Sequence, residues 1–153
     1  MGHFSTVNGD LIALAQSGQF DAIAHGCNCF CSMGAGIALQ MAKAFNADDF
    51  SLEDPIHRGD IDKLGRIECH PIPIGEDESV LVINCYTQFN PGADLDYIAL
   101  TLCMRKINRC FTGKTIGLPM IGAGIAGGDW EKIEAIIRAE LKDCNTVIVK
   151  YNK

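Results

Sequence analysis

The sequence predicts a single α/β domain, spanning residues 1–153, in which a mixed central sheet is covered by helices on both faces. A chain of 153 residues with 48% hydrophobic content has the size of one compact domain that can bury a core. Strand-like and helix-like segments alternate, and twice a short apolar run passes through a glycine-rich loop into an amphipathic segment. This alternation is typical of a partly parallel sheet packed between helices.

The first strand, loop and helix unit begins at residues 20–25, an apolar run that ends in a stretch rich in glycine, asparagine and cysteine. Residues 36–45 carry apolar side chains near helical spacing and are predicted to be a helix. Residues 48–63 are the most charged and least periodic part of the chain, and they include Pro55. They are predicted to form a short helix and a surface loop.

Two further strands are predicted at residues 65–72 and 79–87, paired as neighbours through the turn between them. A helix with an apolar stripe opens at Asp94, and a strand follows at residues 115–120. Asp129 is predicted to cap a helix that reaches about residue 142. The last strand is predicted at residues 146–151, which repeats the order of strand, loop and helix.

Charge and hydropathy exclude several classes of partner. With 13 basic and 19 acidic residues the net charge is −6, which disfavours long nucleic acids. A small phosphorylated ligand remains compatible, because backbone N–H groups and helix N-termini bind anions without basic side chains. No apolar run approaches the ~20 residues of a membrane span, and no leader is evident. The expectation is a soluble, cytoplasmic protein without a membrane partner.

Eight cysteines could indicate a disulfide framework or a metal site. Most of them lie inside apolar strand or helix patterns, which predicts reduced and mostly buried thiols. Cys27, Cys29 and Cys31 are clustered, but structural zinc sites add a second, distant pair of cysteines that this cluster lacks. We therefore expect no metal and no cofactor, and a redox or metal protein is a minor alternative.

Two glycine-rich loops are the candidate ligand-binding elements, because ligands of open α/β sheets bind beyond the carboxyl ends of the strands. Glycine tolerates positive φ and lets consecutive N–H groups face an anion, so two such loops could hold a diphosphate. Tight turns without a ligand are the alternative. The first loop comprises Ser32, Met33, Gly34, Ala35, Gly36 and Ile37, and the second comprises Ile121, Gly122, Ala123, Gly124, Ile125, Ala126, Gly127 and Gly128.

The second loop also matches the dinucleotide-binding pattern G-x-G-x-x-G. That motif needs an acidic residue at the end of the next strand, where it holds the ribose hydroxyls. Here the next strand ends at Val149, Lys150 and Tyr151, so a nicotinamide-dependent dehydrogenase is disfavoured. A Walker-type NTPase is disfavoured as well, because no G-K-[ST] follows either loop.

Four segments occur in this order along nearly the whole chain: Asn8-Gly9-Asp10-Leu11, His25-Gly26-Cys27-Asn28-Cys29, Met33-Gly34-Ala35-Gly36-Ile37-Ala38 and Leu118-Pro119-Met120-Ile121-Gly122-Ala123-Gly124. Together they resemble the macro domain, an ADP-ribose-binding family. The resemblance implies the macro-domain fold with ADP-ribose or ADP-ribose 1″-phosphate as ligand, or an ADP-ribosylated protein as partner. It is closest to the branch of ADP-ribose 1″-phosphate phosphatases and terminal ADP-ribose-glutamate hydrolases.

The resemblance implies roles for individual residues. Asp10, followed by Leu11, would accept a hydrogen bond from the adenine amino group, although a helix N-cap is an equally good interpretation of Asp10. Tyr151 would stack on adenine, or simply pack at the chain end. Asn28 would bind the distal ribose and orient the anomeric end, with a turn asparagine as the alternative. The second loop would wrap the diphosphate and the distal ribose.

Departures from the family pattern bear on the reaction. The glutamate-hydrolase branch carries an aspartate in the second loop and a lysine on the preceding strand, and here Ala126 and Cys85 are assigned to those places. The resemblance therefore favours phosphate removal from ADP-ribose 1″-phosphate. Asp129 and His25 are the candidate bases near Asn28, with an N-cap and a structural imidazole as their alternatives.

Three other outcomes stay open from the sequence. A non-catalytic ADP-ribose reader would need only the two loops. An ADP-ribosyl hydrolase and an O-acetyl-ADP-ribose deacetylase are the remaining alternatives.

Thr87 and Gln88 at the end of a strand could line the distal-ribose pocket or be solvated loop residues.

Overall fold

The structure is a computed structural model that describes residues 2–30, 33, 36–47 and 59–151. It contains a six-stranded sheet and four α-helices, together with a short 3-10 helix at Ile61–Lys63. The strands are β1 (Phe4–Asn8), β2 (Ala22–Asn28), β3 (Ile67–Pro73), β4 (Ser79–Gln88), β5 (Thr115–Leu118) and β6 (Asn145–Lys150). The helices are α1 (Leu11–Gln16), α2 (Gly36–Phe45), α3 (Tyr97–Cys110) and α4 (Trp130–Glu140).

The sheet has the strand order β1-β6-β5-β2-β4-β3, and every neighbouring pair is parallel except β3 with β4. The predicted mixed sheet and the predicted pairing of the strands at 65–72 and 79–87 are confirmed. Because five strands run the same way, their carboxyl ends meet at one edge of the sheet. The loops that follow β5, β2 and β4 are therefore brought together.

Helices cover both faces of the sheet, as the sequence predicts. One core lies under α3 and α4, where Leu100, Met104 and Ile137 pack on strand residues such as Ile83 and Ile116. The other lies under α1 and α2, where Leu11, Met41 and Phe45 pack on strand residues such as Ile23 and Val82. Successive strand residues alternate between the two cores, because side chains of a strand point to opposite faces.

Near the N-terminus, strand β1 was not predicted, and helix α1 was indicated only by the alternative interpretation of Asp10 as an N-cap. The edge strand β1 is mostly exposed, so Phe4-Ser5-Thr6-Val7-Asn8 shows no apolar alternation. Helix α1 has six residues, which is too short for a periodic apolar pattern. Both elements form because the sheet gives β1 a parallel partner in β6 and α1 a place on the second core.

One predicted boundary is wrong and one lies partly outside the described residues. Helix α3 begins at Tyr97 rather than near Asp94, because Asp96 caps it by accepting hydrogen bonds from the N–H groups of Ile98 and Ala99. Asp94 instead accepts the N–H of Asn90 at 2.9 Å, which closes the loop after β4. The short helix predicted within residues 48–63 falls largely on residues 48–58, outside the described part of the chain.

A candidate ligand-binding cleft

A cleft of about 470 Å³ opens at the carboxyl ends of β5, β2 and β4. Its walls come from the loop after β5, the end of β2, the start of α2, and the loop after β4. Of the residues that were predicted to bind a ligand or to take part in catalysis, eight line it. They are Asn28, Gly36, Ile37, Ile121, Gly122, Gly124, Ile125 and Ala126.

The loop between β5 and α4 is folded by hydrogen bonds within itself. The N–H groups of Ala123, Gly127 and Gly128 donate to the carbonyls of Met120, Gly124 and Gly122, at 3.2, 3.0 and 2.8 Å. Positive φ at Gly122 (77°) and Gly127 (76°) permits this compact path.

Four residues of this loop line the cleft and have backbone N–H groups that are available to a ligand. Over the described ranges of the chain, the N–H groups of Gly122, Gly124, Ile125 and Ala126 donate no hydrogen bond. The N–H groups of Ala123 and Gly127, which do not line the cleft, are the ones used to fold the loop. The loop therefore has available backbone donors on residues that line the cleft, and groups of such donors bind anions.

Helix α2 contributes its N-terminus to the same cleft. Gly36, Ile37 and Ala38, the first three residues of this ten-residue helix, all line it. First-turn N–H groups have no acceptor within their own helix, and the helix dipole is positive at this end. A Cβ on Gly36 would lie 3.3 Å from Cδ1 of Ile125, so the start of α2 and the loop after β5 are in close contact here.

The polar side chains of the cleft come from the ends of β2 and β4. Asn28 and Gln88, which pair in register, are 7% and 8% exposed. Oδ1 of Asn28 accepts the N–H of Phe30 at 3.0 Å, and Nε2 of Gln88 donates to the carbonyls of Asn90 and Gly92, both at 2.7 Å. None of the described residues that line the cleft is acidic, basic or a histidine.

The chain has a bacteriophage relative that is similar over almost its whole length. No family model matches the chain. An uncharacterised 17.5 kDa protein from the tk-vs intergenic region of Enterobacteria phage T4 is 39% identical over 153 residues, covering 95% of this chain and 94% of the phage protein. The chain belongs to the same family as this phage protein.

Solved structures of macrodomains have the same architecture. The macrodomain of Mycobacterium tuberculosis DarG superposes with a TM-score of 0.74 at 23% identity, covering 97% of this chain and 98% of that one. The structure of Thermosipho africanus DarTG in complex with ADP-ribose gives a TM-score of 0.77 at 14% identity, covering 99% of this chain and 42% of that one. The chain has the macrodomain fold. The fold predicted from the sequence is confirmed.

In this macrodomain, His25 is a core residue and not a member of the cleft. Its imidazole is fully buried on β2, where Nε2–H donates to Oδ1 of Asn84 at 2.6 Å, and Nδ2 of Asn84 donates to the carbonyl of Ala47 at 2.8 Å. Burial lowers the pKa of His25 to about 4, against a smaller opposing effect of the Asn84 hydrogen bond. The pair of His25 and Asn84 links β2 to β4 and to Ala47, two residues after α2. This geometry supports a structural imidazole, the alternative that the sequence allowed, and gives no support to His25 as a base.

Asp129 caps helix α4, as the sequence also allowed. Its side chain accepts the N–H of Glu131 at 3.0 Å, and its own N–H donates to the hydroxyl of Tyr97 at 2.9 Å. The residue is exposed and does not line the cleft. A carboxylate engaged as a cap at this place gives no support to the assignment of Asp129 as a base.

Ala126 and Cys85, the two residues at which the chain departs from the family pattern, lie in different places. Ala126 lines the cleft, so a methyl group stands where the hydrolase branch would carry a carboxylate. Cys85 is fully buried in the core under α3, where a hydrogen bond with Cys103, together with burial, raises the pKa of its thiol well above the usual value. The residues of β4 that line the cleft are Thr87 and Gln88, two and three positions further along.

The residues assigned to adenine lie beside the cleft, at the ends of β1 and β6. Asp10 caps α1, since its Oδ1 accepts the N–H groups of Ile12 and Ala13 at 3.0 and 3.2 Å. Leu11 is buried in the second core, and Tyr151 is 60% exposed. The N–H of Gly9 donates to the carbonyl of Lys150 at 2.8 Å, which brings the Asp10 and Tyr151 segments together.

The other residues that the sequence assigned to the ligand do not all lie within the described chain. Met33 is buried in the second core, Ala123 packs against the first core, and Gly127 is exposed, and none of these three lines the cleft. Ser32, Gly34 and Ala35 lie outside the described residues. Sequence reasoning omitted Gly26 and the loop after β4, including Pro91 and Gly92, because no motif marks a strand end that becomes a wall only when β4 lies beside β2.

The seven cysteines that the structure describes are thiols and not members of disulfides. Five of them, including Cys27 and Cys29, are buried, whereas Cys69 and Cys110 are exposed. No group of three potential metal ligands of the His, Cys, Asp or Glu type occurs among the residues that the structure describes. Within the same residues, no helix has the length and apolar character needed to cross a membrane.

Proposed function

We propose that the cleft binds ADP-ribose. The observation that carries this proposal is the set of N–H groups at Gly122, Gly124, Ile125 and Ala126 that donate no hydrogen bond within the described residues, in a cleft that the N-terminus of α2 also lines. Together these donors make a site for a diphosphate that needs no basic side chain. The net charge of the protein is −6, and the described cleft lining contains no basic side chain. Backbone donors are therefore needed to hold an anion in this cleft.

The order of strands supports the rest of the ligand. Adjacent strands are ~5 Å apart, so the end of β6 lies next to the end of β5, and the end of β1 lies one strand further. Adenine would then contact Tyr151 and Asp10, the diphosphate would lie between the glycine loops, and the distal ribose would reach Asn28. The ADP-ribose complex of the Thermosipho africanus protein, whose fold this chain shares, agrees with this choice of ligand.

The reaction that we propose for the cleft is removal of phosphate from ADP-ribose 1″-phosphate. Water attacks phosphorus, the bond between phosphorus and the 1″ oxygen breaks, and the products are ADP-ribose and inorganic phosphate. The transition state of phosphoryl transfer is loose, so positioning and stabilisation of charge on the phosphoryl oxygens account for most of the acceleration. The backbone donors and the Asn28 amide support this chemistry, and Ala126 disfavours hydrolysis that depends on an acidic residue in the second loop.

One observation favours a second function, an ADP-ribose reader that recognises free or protein-linked ADP-ribose without turnover. Of the described residues in the cleft wall, Cys27 alone has a titratable side chain, and it is buried. A site without a base suits binding as well as it suits phosphate release.

Phosphate release separates the two functions. The protein is incubated with ADP-ribose 1″-phosphate and the inorganic phosphate is measured, with ribose 5-phosphate as a control substrate. The phosphatase proposal predicts release from the first substrate above the blank and none from the second. Release equal to the blank at high protein concentration, with ADP-ribose still bound, would assign the reader function instead.

A further inference from the structure

Thr87 is the extra residue of a β-bulge at the floor of the cleft. Cys27 pairs with Tyr86 and Asn28 pairs with Gln88, which leaves Thr87 without a partner on β2. The carbonyl of Thr87 accepts the N–H of Asp96 at 2.9 Å, so the bulge is fixed to the start of α3. Bulges are frequent beside active sites because they redirect a side chain that a regular strand would aim elsewhere.

The hydroxyl of Thr87 is buried without a hydrogen-bond partner. The residue is 1% exposed and lines the cleft, and its Oγ1 has no donor or acceptor around it in the described structure. Most buried polar side-chain atoms have a partner, because an unpaired one carries an uncompensated desolvation cost. A partner supplied by a ligand would remove this cost.

Gly26 lies directly beside this hydroxyl. A Cβ at position 26 would lie 2.9 Å from Oγ1 of Thr87 and 3.3 Å from Cγ1 of Ile121, and Gly26 itself lines the cleft. Any side chain at position 26 would therefore crowd the Thr87 hydroxyl, and the absence of one lets Thr87 pack at the cleft wall. The staggered rotamers of threonine also let the hydroxyl turn toward a ligand atom without a backbone movement.

We infer that Thr87 is a specificity-determining residue whose hydroxyl binds the distal ribose of ADP-ribose or the group attached to its 1″ position. This inference rests on the proposed function, and it adds a contact that distinguishes ADP-ribose from ADP. Asn28 and Gln88 flank Thr87 in the strand register, which places the hydroxyl at the end of the cleft that we assign to the distal ribose. A ribose hydroxyl or a phosphoryl oxygen satisfies Oγ1 equally well, because a threonine hydroxyl both donates and accepts.

Thr146 provides a matched control. It is the other threonine in the described residues with a buried and unpartnered hydroxyl, it is 2% exposed on β6, and it does not line the cleft. Thr146→Val therefore shows what the loss of such a hydroxyl does to stability without a ligand contact. Thr87→Val removes the hydroxyl at nearly constant volume, and Thr87→Ser restores it.

The test is a calorimetric titration of the wild type and these three variants with ADP-ribose and with ADP, together with their melting temperatures. Thr87→Val is expected to weaken ADP-ribose binding about fivefold, the loss of one neutral hydrogen bond, and to leave ADP binding unchanged. Thr87→Ser and Thr146→Val should bind both ligands like the wild type. Neither valine variant should melt below the wild type, because each removes an unpaired buried hydroxyl.

Two results would overturn the inference while the proposed function stands. One is a wild type that binds ADP-ribose and a Thr87→Val variant that binds it equally well. The other is an equal loss of ADP and ADP-ribose affinity, which would make Thr87 a structural residue of the cleft. If Thr87→Val does not fold, Thr87→Ala applies the same criteria. Absence of ADP-ribose binding by the wild type would overturn the proposed function and this inference together.

Discussion

The buried imidazole of His25 makes the stability of the protein depend on pH. Desolvation lowers its pKa to about 4, whereas the same imidazole has a pKa of about 6.5 in the unfolded chain. Between these values the unfolded chain binds more protons than the folded protein, so stability falls as the pH falls. The lowered pKa of His25 therefore changes the unfolding free energy by at most about 3 kcal/mol. This contribution is fully present above pH 6.5 and is lost as the pH falls toward 4.

We therefore predict that the stability of the wild type depends on pH more steeply than that of His25→Gln. Between pH 7.5 and 5.0 the wild type should lose about 2 kcal/mol more of its unfolding free energy than the variant loses. Urea denaturation of both proteins at the two pH values measures this difference. Parallel pH profiles would contradict a buried, neutral His25.

At Asn28 we predict an effect on turnover that exceeds the effect on binding. Asn28→Ala removes an amide at the proposed distal ribose but leaves the diphosphate donors in place. Phosphate release from ADP-ribose 1″-phosphate should fall at least about tenfold, while ADP-ribose affinity changes by less than about threefold. Because Oδ1 also accepts the N–H of Phe30, the melting temperature must be followed as a control. Equal losses of both would make Asn28 a residue that positions the ligand only.

The loop between β5 and α4 contains two kinds of glycine. At one kind the fold requires the absence of a side chain, and at the other only a bound ligand would require it. Gly122 has φ of 77°, and a Cβ there would meet Leu95 at 3.0 Å. Gly124 is in neither situation, since its φ is not positive and a Cβ there would contact nothing within 4 Å. Gly124 lines the cleft.

Two substitutions test this distinction. Gly122→Ala should lower the unfolding free energy by at least about 1 kcal/mol, because of the positive φ and the contact with Leu95. Gly124→Ala should leave stability unchanged and weaken ADP-ribose binding, because its methyl group occupies space beside the uncommitted donors. Thermal melting and calorimetry with ADP-ribose measure both effects. Unchanged affinity of Gly124→Ala would argue against a ligand at this part of the loop.

The same elements show what the sequence can and cannot predict. Strands β2 and β4 are continuous apolar runs, and α2 and α4 follow glycine loops, so local composition was sufficient to locate them. Strand β1 forms mainly because β6 pairs with it, and its own residues are exposed. The sequence named Asn28, Thr87 and Gln88 as candidates for the cleft, and all three line it. The bulge at Thr87 and its close contact with Gly26 arise from the register between two strands that are distant in the chain. No local pattern encodes such a register, so these two features could be identified only from the structure.

The whole molecule combines a negative net charge with a cleft whose described lining carries no charged side chain. An anionic ligand held by backbone donors makes no ion pair that salt would screen. Affinity for ADP-ribose should consequently change little between low and high salt, unlike that of a site built from lysine and arginine.

The central claim is that these backbone donors bind ADP-ribose, and calorimetric titration of the wild type with ADP-ribose at low and high salt tests it most directly. We predict saturable binding of one ADP-ribose per chain, with similar affinity at both salt concentrations. No binding heat at millimolar ADP-ribose would contradict the claim.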